Sequence, residues 1–159
     1  MSATSTPLWA AAPRELAVRF GSSSIATAAA ALALGEKSGT KRRSLGNLLI
    51  AALTVELAAG VAMDARYKKV GIEKGRSGPW GRLEHYGAEG AGVLVPLGLM
   101  AASRLRGHEP GRLSTIAGLA TLVGSAVFRS AILGAGAETA RRPDISLRFA
   151  QPDNLPRKH

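Results

Sequence analysis

Four apolar runs, separated by short polar and basic segments, dominate the pattern of the chain. The last run is the clearest: Leu113 to Phe128 holds no charge, Arg129 interrupts, and apolar residues resume as far as Ala137. As a helix rising about 1.5 Å per residue, residues 113–137 extend roughly 37 Å, enough to cross a hydrocarbon core of about 30 Å. The pattern predicts helices over about 14–35, 44–64, 83–103 and 112–137.

Four such helices joined by short turns predict an all-α fold, an integral membrane up-down four-helix bundle. The chain divides into an N-terminal tail (1–13), a four-helix transmembrane domain (14–143) and a polar C-terminal tail (144–159). Pro13 suits the first position of a helix, and Pro96 predicts a kink in the third helix. An alternative makes 14–35 a signal anchor, or a segment cut after Ala33, although the N-terminal tail lacks the basic start of a secretory signal.

Small residues four apart on the first predicted helix favour close packing against a neighbour. Ser22, Ala26 and Ala30 have this spacing, which lets two helices approach closely in a bilayer. The alternative is that the first helix is simply rich in alanine. The spacing therefore predicts a helix contact along this face without naming the partner helix.

Composition and charge narrow the class. The net charge is +10 and only 4% of residues are aromatic, which is few for the core of a soluble domain of this size. The basic residues lie mostly between apolar runs, whereas nucleic-acid binders tend to align them along one element. We therefore expect membrane lipids, and no nucleic acid, as partners, with a soluble helical bundle as the alternative. The absence of cysteine excludes disulfides and iron–sulfur ligation by this chain.

Basic residues also predict the orientation. More Lys and Arg lie on the side of the N-terminal tail, the connection 65–82 and the C-terminal tail than on the side of the other two connections. Positive charge favours the cytoplasm, so we expect a multi-pass protein of the plasma membrane with both termini cytoplasmic. Trp9, Trp80 and Tyr86 fall at the inner interface, where aromatic residues concentrate.

Each predicted helix carries one charge inside its apolar part. These are Arg19, Glu56, Glu89 and Arg129, each about 8–12 Å from the inner end of its helix at about 1.5 Å per residue. The four charges sum to zero, so we hypothesise a compensated polar layer within the bundle. Arg129 could instead extend to the headgroups, but helical side chains lean toward the N-terminus, which here is toward the bilayer middle. The layer would either hold the helices together or form part of a proton or quinone-linked path.

Other chemistry is sparse. No spacing of His, Cys, Asp or Glu predicts a metal site, no Gly-rich phosphate loop stands in strand–turn–helix context, and no catalytic triad is indicated, so no catalytic residue is predicted. His85, with Trp80, Glu84 and Tyr86, is a candidate border for a quinone pocket at headgroup level. The alternative is an interfacial aromatic belt beside a basic loop.

With the helices placed, the chain resembles the C-terminal half of the NrfD/PsrC family, the membrane subunits of polysulfide reductase. The pieces that carry the resemblance are Trp9, PREL from Pro13, the SSSIATAAAALAL run, RRSLGNLLIAALTVELAAG, Gly71 with KGRSG from Lys74, and GLATLVGSAVFRSAILGAGAETARRPD. The last piece, an arginine-bearing final helix that ends in a Gly-Ala-rich turn, is the most specific of them.

The resemblance implies a membrane anchor of an oxidoreductase complex, with an iron–sulfur subunit as partner and no cofactor bound by this chain. Menaquinone or ubiquinone is the quinone it implies. Family members have eight helices and bind quinone mainly in the half that is missing here, so only Arg129 is matched to a family feature. A homodimer, or a separate N-terminal half, is then expected. Two alternatives stay open: a structural membrane scaffold without electron transfer, and half of a dimeric transporter.

Overall fold

A computed structural model describes residues 6–71, 78–105 and 112–141, and within these ranges every regular element is helical. The elements are α1 (Pro7–Ala11), α2 (Pro13–Gly35), α3 (Gly39–Val70), α4 (Pro79–Arg82), a π-helix (Leu83–Leu94), α5 (Val95–Leu105) and α6 (Arg112–Ala140). The all-α prediction is confirmed for this part of the chain. The predicted polar tail 144–159, the third connection with His108 and the Lys74–Gly78 piece up to residue 77 lie outside the described residues.

Three of these helices, α2, α3 and α6, are long and apolar enough to cross a membrane. Their outward faces are apolar too. Large side chains exposed on the three helices include Val18, Ile25, Leu32, Leu48, Val55, Val61, Ile116, Leu119, Val123 and Leu133. Exposed apolar surface on this scale marks contact with a membrane or another protein. Length, composition and outward apolar faces together indicate a membrane protein.

Helix α3 extends beyond the predicted 44–64 at both ends. The basic segment before Ser44 is helical from Gly39, so the polar connection shrinks to Glu36–Ser38. Lys and Arg are good helix formers, so the helix can extend beyond its apolar part into a segment whose charged side chains are hydrated. The end is set by Gly71, whose φ of 72° is left-handed and whose N–H donates to the carbonyls of Tyr67 and Lys68. The predicted loop 65–82 therefore begins only at Gly71.

The third predicted helix, 83–103, is longer and more varied than expected. Helix α4, the π-helix and α5 follow one another without a break from Pro79 to Leu105. The helix does not stop at Pro96, which lies one residue inside α5. Proline cannot donate to the carbonyl one turn earlier, and the π-helical geometry lies directly before it: the N–H of Val95 donates to Gly90, five residues back. The change from π-helix to α-helix therefore lies directly before Pro96, the residue at which the kink is predicted.

Helix packing follows the small residues. The most extensive contact joins α2 to α3, and α6 packs against the π-helix, α2 and α5. Ser22, Ala26 and Ala30 are all buried. The π-helix and α6 meet at two glycines, where a Cβ built on Gly92 would lie 2.6 Å from the Cα of Gly124. No side chain fits at that crossing.

Two apolar clusters fill the interior. One contains Leu8, Leu16, Met63, Tyr67, Ala88, Phe128 and Ile132. The other contains Ala26, Ala30, Leu49, Leu53, Val93, Met100 and Ala117. Along α2, α3, the π-helix and α6 alike, the residues between the two clusters include polar side chains, such as Arg19, Ser23, Glu56, Glu89 and Ser125. The protein therefore has a polar layer between two apolar cores.

Candidate functional site

Arg19 of α2 is the centre of the polar layer. Its side chain is 1% exposed, and its guanidinium donates to two carboxylates of the π-helix. Nη1 lies 2.6 Å from Oε1 of Glu84, and Nη2 lies 2.9 Å from Oε1 of Glu89. Glu84 is fully buried. A buried arginine needs such charge-assisted hydrogen bonds, because neither charge retains its hydration shell.

The π-helix brings these two carboxylates to one face. In an α-helix of 3.6 residues per turn, residues five apart point about 140° away from each other. In a π-helix the hydrogen bonds run between residues five apart, so Glu84 and Glu89 lie on successive turns of the same face. The two carboxylates can then share Arg19. Small residues, Gly87, Ala88 and Gly90 to Gly92, leave room for this wider helix next to its neighbours.

An aromatic ring of α6 and a glycine of α3 also border the guanidinium of Arg19. Its Cζ lies 4.4 Å from the ring centroid of the buried Phe128 of α6, a cation–π contact. Phe20 packs on the same ring at 5.0 Å. On the side of α3, a Cβ on Gly60 would lie 3.3 Å from Glu89 and 3.5 Å from the Cζ of Arg19. Gly60 therefore makes the space that the ion pair occupies.

Glu56 of α3 lies beside this ion pair without joining it. The residue is 4% exposed, and no basic group of the described residues lies within salt-bridge distance of its carboxylate. It borders a cavity of about 30 Å³, which Arg19, Gly60 and Glu89 also line. This is enough space for a water molecule, and Arg19, Glu56 and Glu89 supply polar atoms to its mostly apolar walls.

Arg129 of α6 is held by serines. It donates to the Oγ of Ser125, one turn earlier on α6, and to the Oγ of Ser24 of α2 at 3.1 Å. Ser125 in turn shares a hydrogen bond of 3.2 Å with Ser23 of α2. Among the described residues, no carboxylate is close enough for a salt bridge with Arg129. The predicted four-charge layer is thus differently partnered: Arg19 takes both acids of the π-helix, and Arg129 bonds to hydroxyls.

The four residues of the predicted quinone pocket lie in three different environments. Glu84 is fully buried and pairs with Arg19, while Tyr86 is 72% exposed. The side chain of His85 is 64% exposed, and its Nδ1 lies 3.0 Å from Glu89. Trp80 packs over Gly134 of α6, where an added Cβ would lie 2.3 Å from the indole. Glu84 is separated from its predicted companions because it pairs with the buried Arg19.

Trp9 packs against α6 in the same way as Trp80. Its indole covers Gly136, where an added Cβ would lie 2.6 Å from the ring. Together with Leu16, Phe20 and Ile132, Trp9 lines an apolar cavity of about 290 Å³ between α1, α2 and α6. Gly134 and Gly136 are helical, in agreement with the predicted helix over 112–137, and both tryptophans pack against them.

Several of these roles had weak sequence signals. Ser125 is four residues before Arg129, and Gly60 is four residues after Glu56, so each pair shares a helix face. Glu84 and Glu89, by contrast, would diverge on an α-helix, and only the π-helix unites them. Comparisons of the chain with protein-family models, curated proteins and solved structures gave no match.

Proposed function

We propose that the chain is an integral membrane anchor subunit that crosses the plasma membrane four times, with both termini in the cytoplasm. The observation that carries the anchor role is the combination of apolar outward faces with an internally paired arginine. Such a layer holds spanning helices in one register, since separating them would leave charges in hydrocarbon. The composite segment 79–105 is the fourth span, because Leu94 and Val95 are exposed on it as on the other three helices.

We further propose that the anchored complex is an oxidoreductase of the NrfD type. The support is the resemblance of the sequence, above all of the final helix with Arg129. The partner is then an iron–sulfur subunit, and a homodimer or a separate chain supplies the missing half. In this proposal the partner subunit binds the redox cofactors, and menaquinone or ubiquinone is the quinone that exchanges electrons with the complex.

The test is purification of the tagged full-length chain from native membranes in mild detergent. We expect a subunit to co-purify whose electron paramagnetic resonance spectrum reports iron–sulfur clusters. A Gly92→Leu variant, which disrupts the crossing of the π-helix with α6, should no longer co-purify with this subunit. The matched control is Gly98→Leu, at a position where an added Cβ meets nothing within 4 Å, and it should still co-purify with the subunit.

A structural scaffold without electron transfer is the second candidate. It is favoured by the ion pair of Arg19, whose partners Glu84, Glu89 and Phe128 all belong to this chain. A scaffold purifies without an iron–sulfur subunit, and its deletion leaves quinone-linked activity of the membranes unchanged. That pair of results would replace the oxidoreductase proposal.

A further inference from the structure

Glu56 is a buried carboxyl group that has the hydroxyl of Ser23 as a hydrogen-bond partner but no cation of the described residues at salt-bridge distance. It is 4% exposed, and within the described residues it has no salt bridge. Burying an ionised carboxylate without a paired cation costs far more free energy than burying the neutral acid. The neutral form is therefore the expected resting state of Glu56.

The charged groups around Glu56 also favour its neutral form. Arg19 of α2 is already shared by Glu84 and Glu89, and Arg129 of α6 is bonded to serines. The groups that face or border the site are Arg19 and Ser23 from α2, Asp64 from α3 itself, Glu84, His85 and Glu89 from the π-helix, and Arg129 from α6. Among the described residues of the layer, three glutamates (Glu56, Glu84 and Glu89) stand against two arginines (Arg19 and Arg129), so one proton on a glutamate brings the sum of these charges to zero.

A path connects Glu56 to the surface. Glu56 and Glu89 line the same cavity of about 30 Å³, which has space for a water molecule between them. The Nε of the buried Arg19, which also lines this cavity, has no hydrogen-bond partner among the described residues and can donate to such a water. Oε2 of Glu89 lies 3.0 Å from Nδ1 of His85, and the side chain of His85 is 64% exposed.

We propose that Glu56 is a proton-binding site, neutral at rest, which exchanges its proton with bulk water through the cavity, Glu89 and His85. The proposal does not depend on the oxidoreductase assignment. On loading, a hydronium ion transfers one proton to a carboxylate oxygen of Glu56, an O–H bond forms and neutral water remains. Unloading reverses the step. No oxidant, reductant or metal is required.

Infrared spectroscopy of the purified full-length chain tests the resting state. At neutral pH we expect a carbonyl stretch of a protonated carboxylic acid, because exposed Asp and Glu are ionised there. Glu56→Gln should remove this band, and Glu36→Gln, the matched control on a carboxylate in the turn between α2 and α3, should keep it. The absence of the band from the wild-type protein, or its persistence in Glu56→Gln, would overturn the proposal.

Exchange is tested with the same band after transfer into D2O. We expect the band to shift as the acid proton is replaced, and His85→Gln to slow this shift several-fold. Tyr86→Phe, on the exposed neighbour, should leave the rate unchanged. If the wild-type band does not shift while the protein stays folded, or if His85→Gln exchanges at the wild-type rate, the proposed path is wrong.

Thermal unfolding keeps the proposal testable even if a variant folds poorly. Glutamine mimics a neutral Glu56, so Glu56→Gln should keep the midpoint within roughly 2 °C of wild type, whereas Glu84→Gln breaks an ion pair and should lower it by about 5 °C or more. A drop in Glu56→Gln as large as that in Glu84→Gln would show that Glu56 is ionised and paired, contrary to the proposal.

Discussion

At the scale of single residues, the two arginines of the polar layer solve the same problem differently. Arg19 is fully buried and uses two carboxylates and an aromatic ring. Arg129 is half-buried and uses serine hydroxyls. Both were recognisable in the sequence as costly charges in apolar runs. Their partners were not, because partner choice depends on which helix faces are brought together.

Replacing Arg19 tests this difference. Arg19→Gln leaves Glu84 and Glu89 buried without their cation, and we expect a loss of about 3–5 kcal/mol in the free energy of unfolding. Arg14→Gln, on an exposed arginine of the same helix, should cost less than about 0.5 kcal/mol. Chemical unfolding in detergent, followed by circular dichroism, measures both. Equal stability of the two variants would show that the ion pair does not hold the helices.

Glu36, in the turn between α2 and α3, contributes to the pH dependence of stability in the acid range. Its carboxylate accepts a hydrogen bond of 2.8 Å from the backbone N–H of Ser38, which lowers the pKa of Glu36 below its ordinary value of 4.5. A lowered pKa stabilises the fold above pH 4.5, and this contribution disappears as the pH falls through the folded-state pKa. Glu36→Gln should therefore flatten the dependence of the unfolding midpoint on pH in the acid range. An unchanged slope would exclude the contribution.

At the scale of elements, the sequence located the helices well and their geometry less well. Pro13 begins α2, as its position indicated, and the apolar runs lie within α2, α3 and α6. The polar extension of α3 was missed, because helix propensity rather than hydropathy sets its ends. The π-helix was not predicted either, because its composition is that of any membrane helix rich in small residues. Only its contacts with Arg19 and α6, which the sequence does not reveal, distinguish it from an α-helix.

The crossing of the π-helix and α6 predicts a sharp size limit. Gly92→Ala would place a methyl group 2.6 Å from the backbone of Gly124, so the helices must separate. We expect a loss of about 1–3 kcal/mol. Gly98→Ala, where the added group meets nothing within 4 Å, should be neutral or slightly stabilising. Comparison of their thermal midpoints decides the matter, and equal midpoints would contradict the tight crossing.

The two tryptophans report directly on the end of α6. The chain has only Trp9 and Trp80, and both rest on glycines of this helix. Gly134→Ala and Gly136→Ala should each displace one indole and change the tryptophan fluorescence maximum and its quenching by added acrylamide. Gly21→Ala, on open surface, is the control. Unchanged spectra in both α6 variants would mean that the indoles do not pack there.

At the scale of the whole molecule, the polar layer lies between two apolar cores and connects all the long helices. The sequence predicted such a layer from one charge per helix, and the structure adds Glu84, Phe128 and the serine pair. It also indicates a membrane protein through three long apolar helices. The resemblance to the NrfD/PsrC family stays a prediction, because soft small-residue motifs carry it.

The most direct test of the four-span bundle is its topology. The chain has no native cysteine, so single cysteines at Ser38, Gly78 and Arg141 can be labelled from outside intact cells with a membrane-impermeant maleimide. Four spans with cytoplasmic termini predict that Ser38→Cys is labelled, while Gly78→Cys and Arg141→Cys react only after the membrane is opened. Labelling of Arg141→Cys from outside, with Gly78→Cys protected, would show that residues 79–105 do not cross and would contradict the four-span bundle.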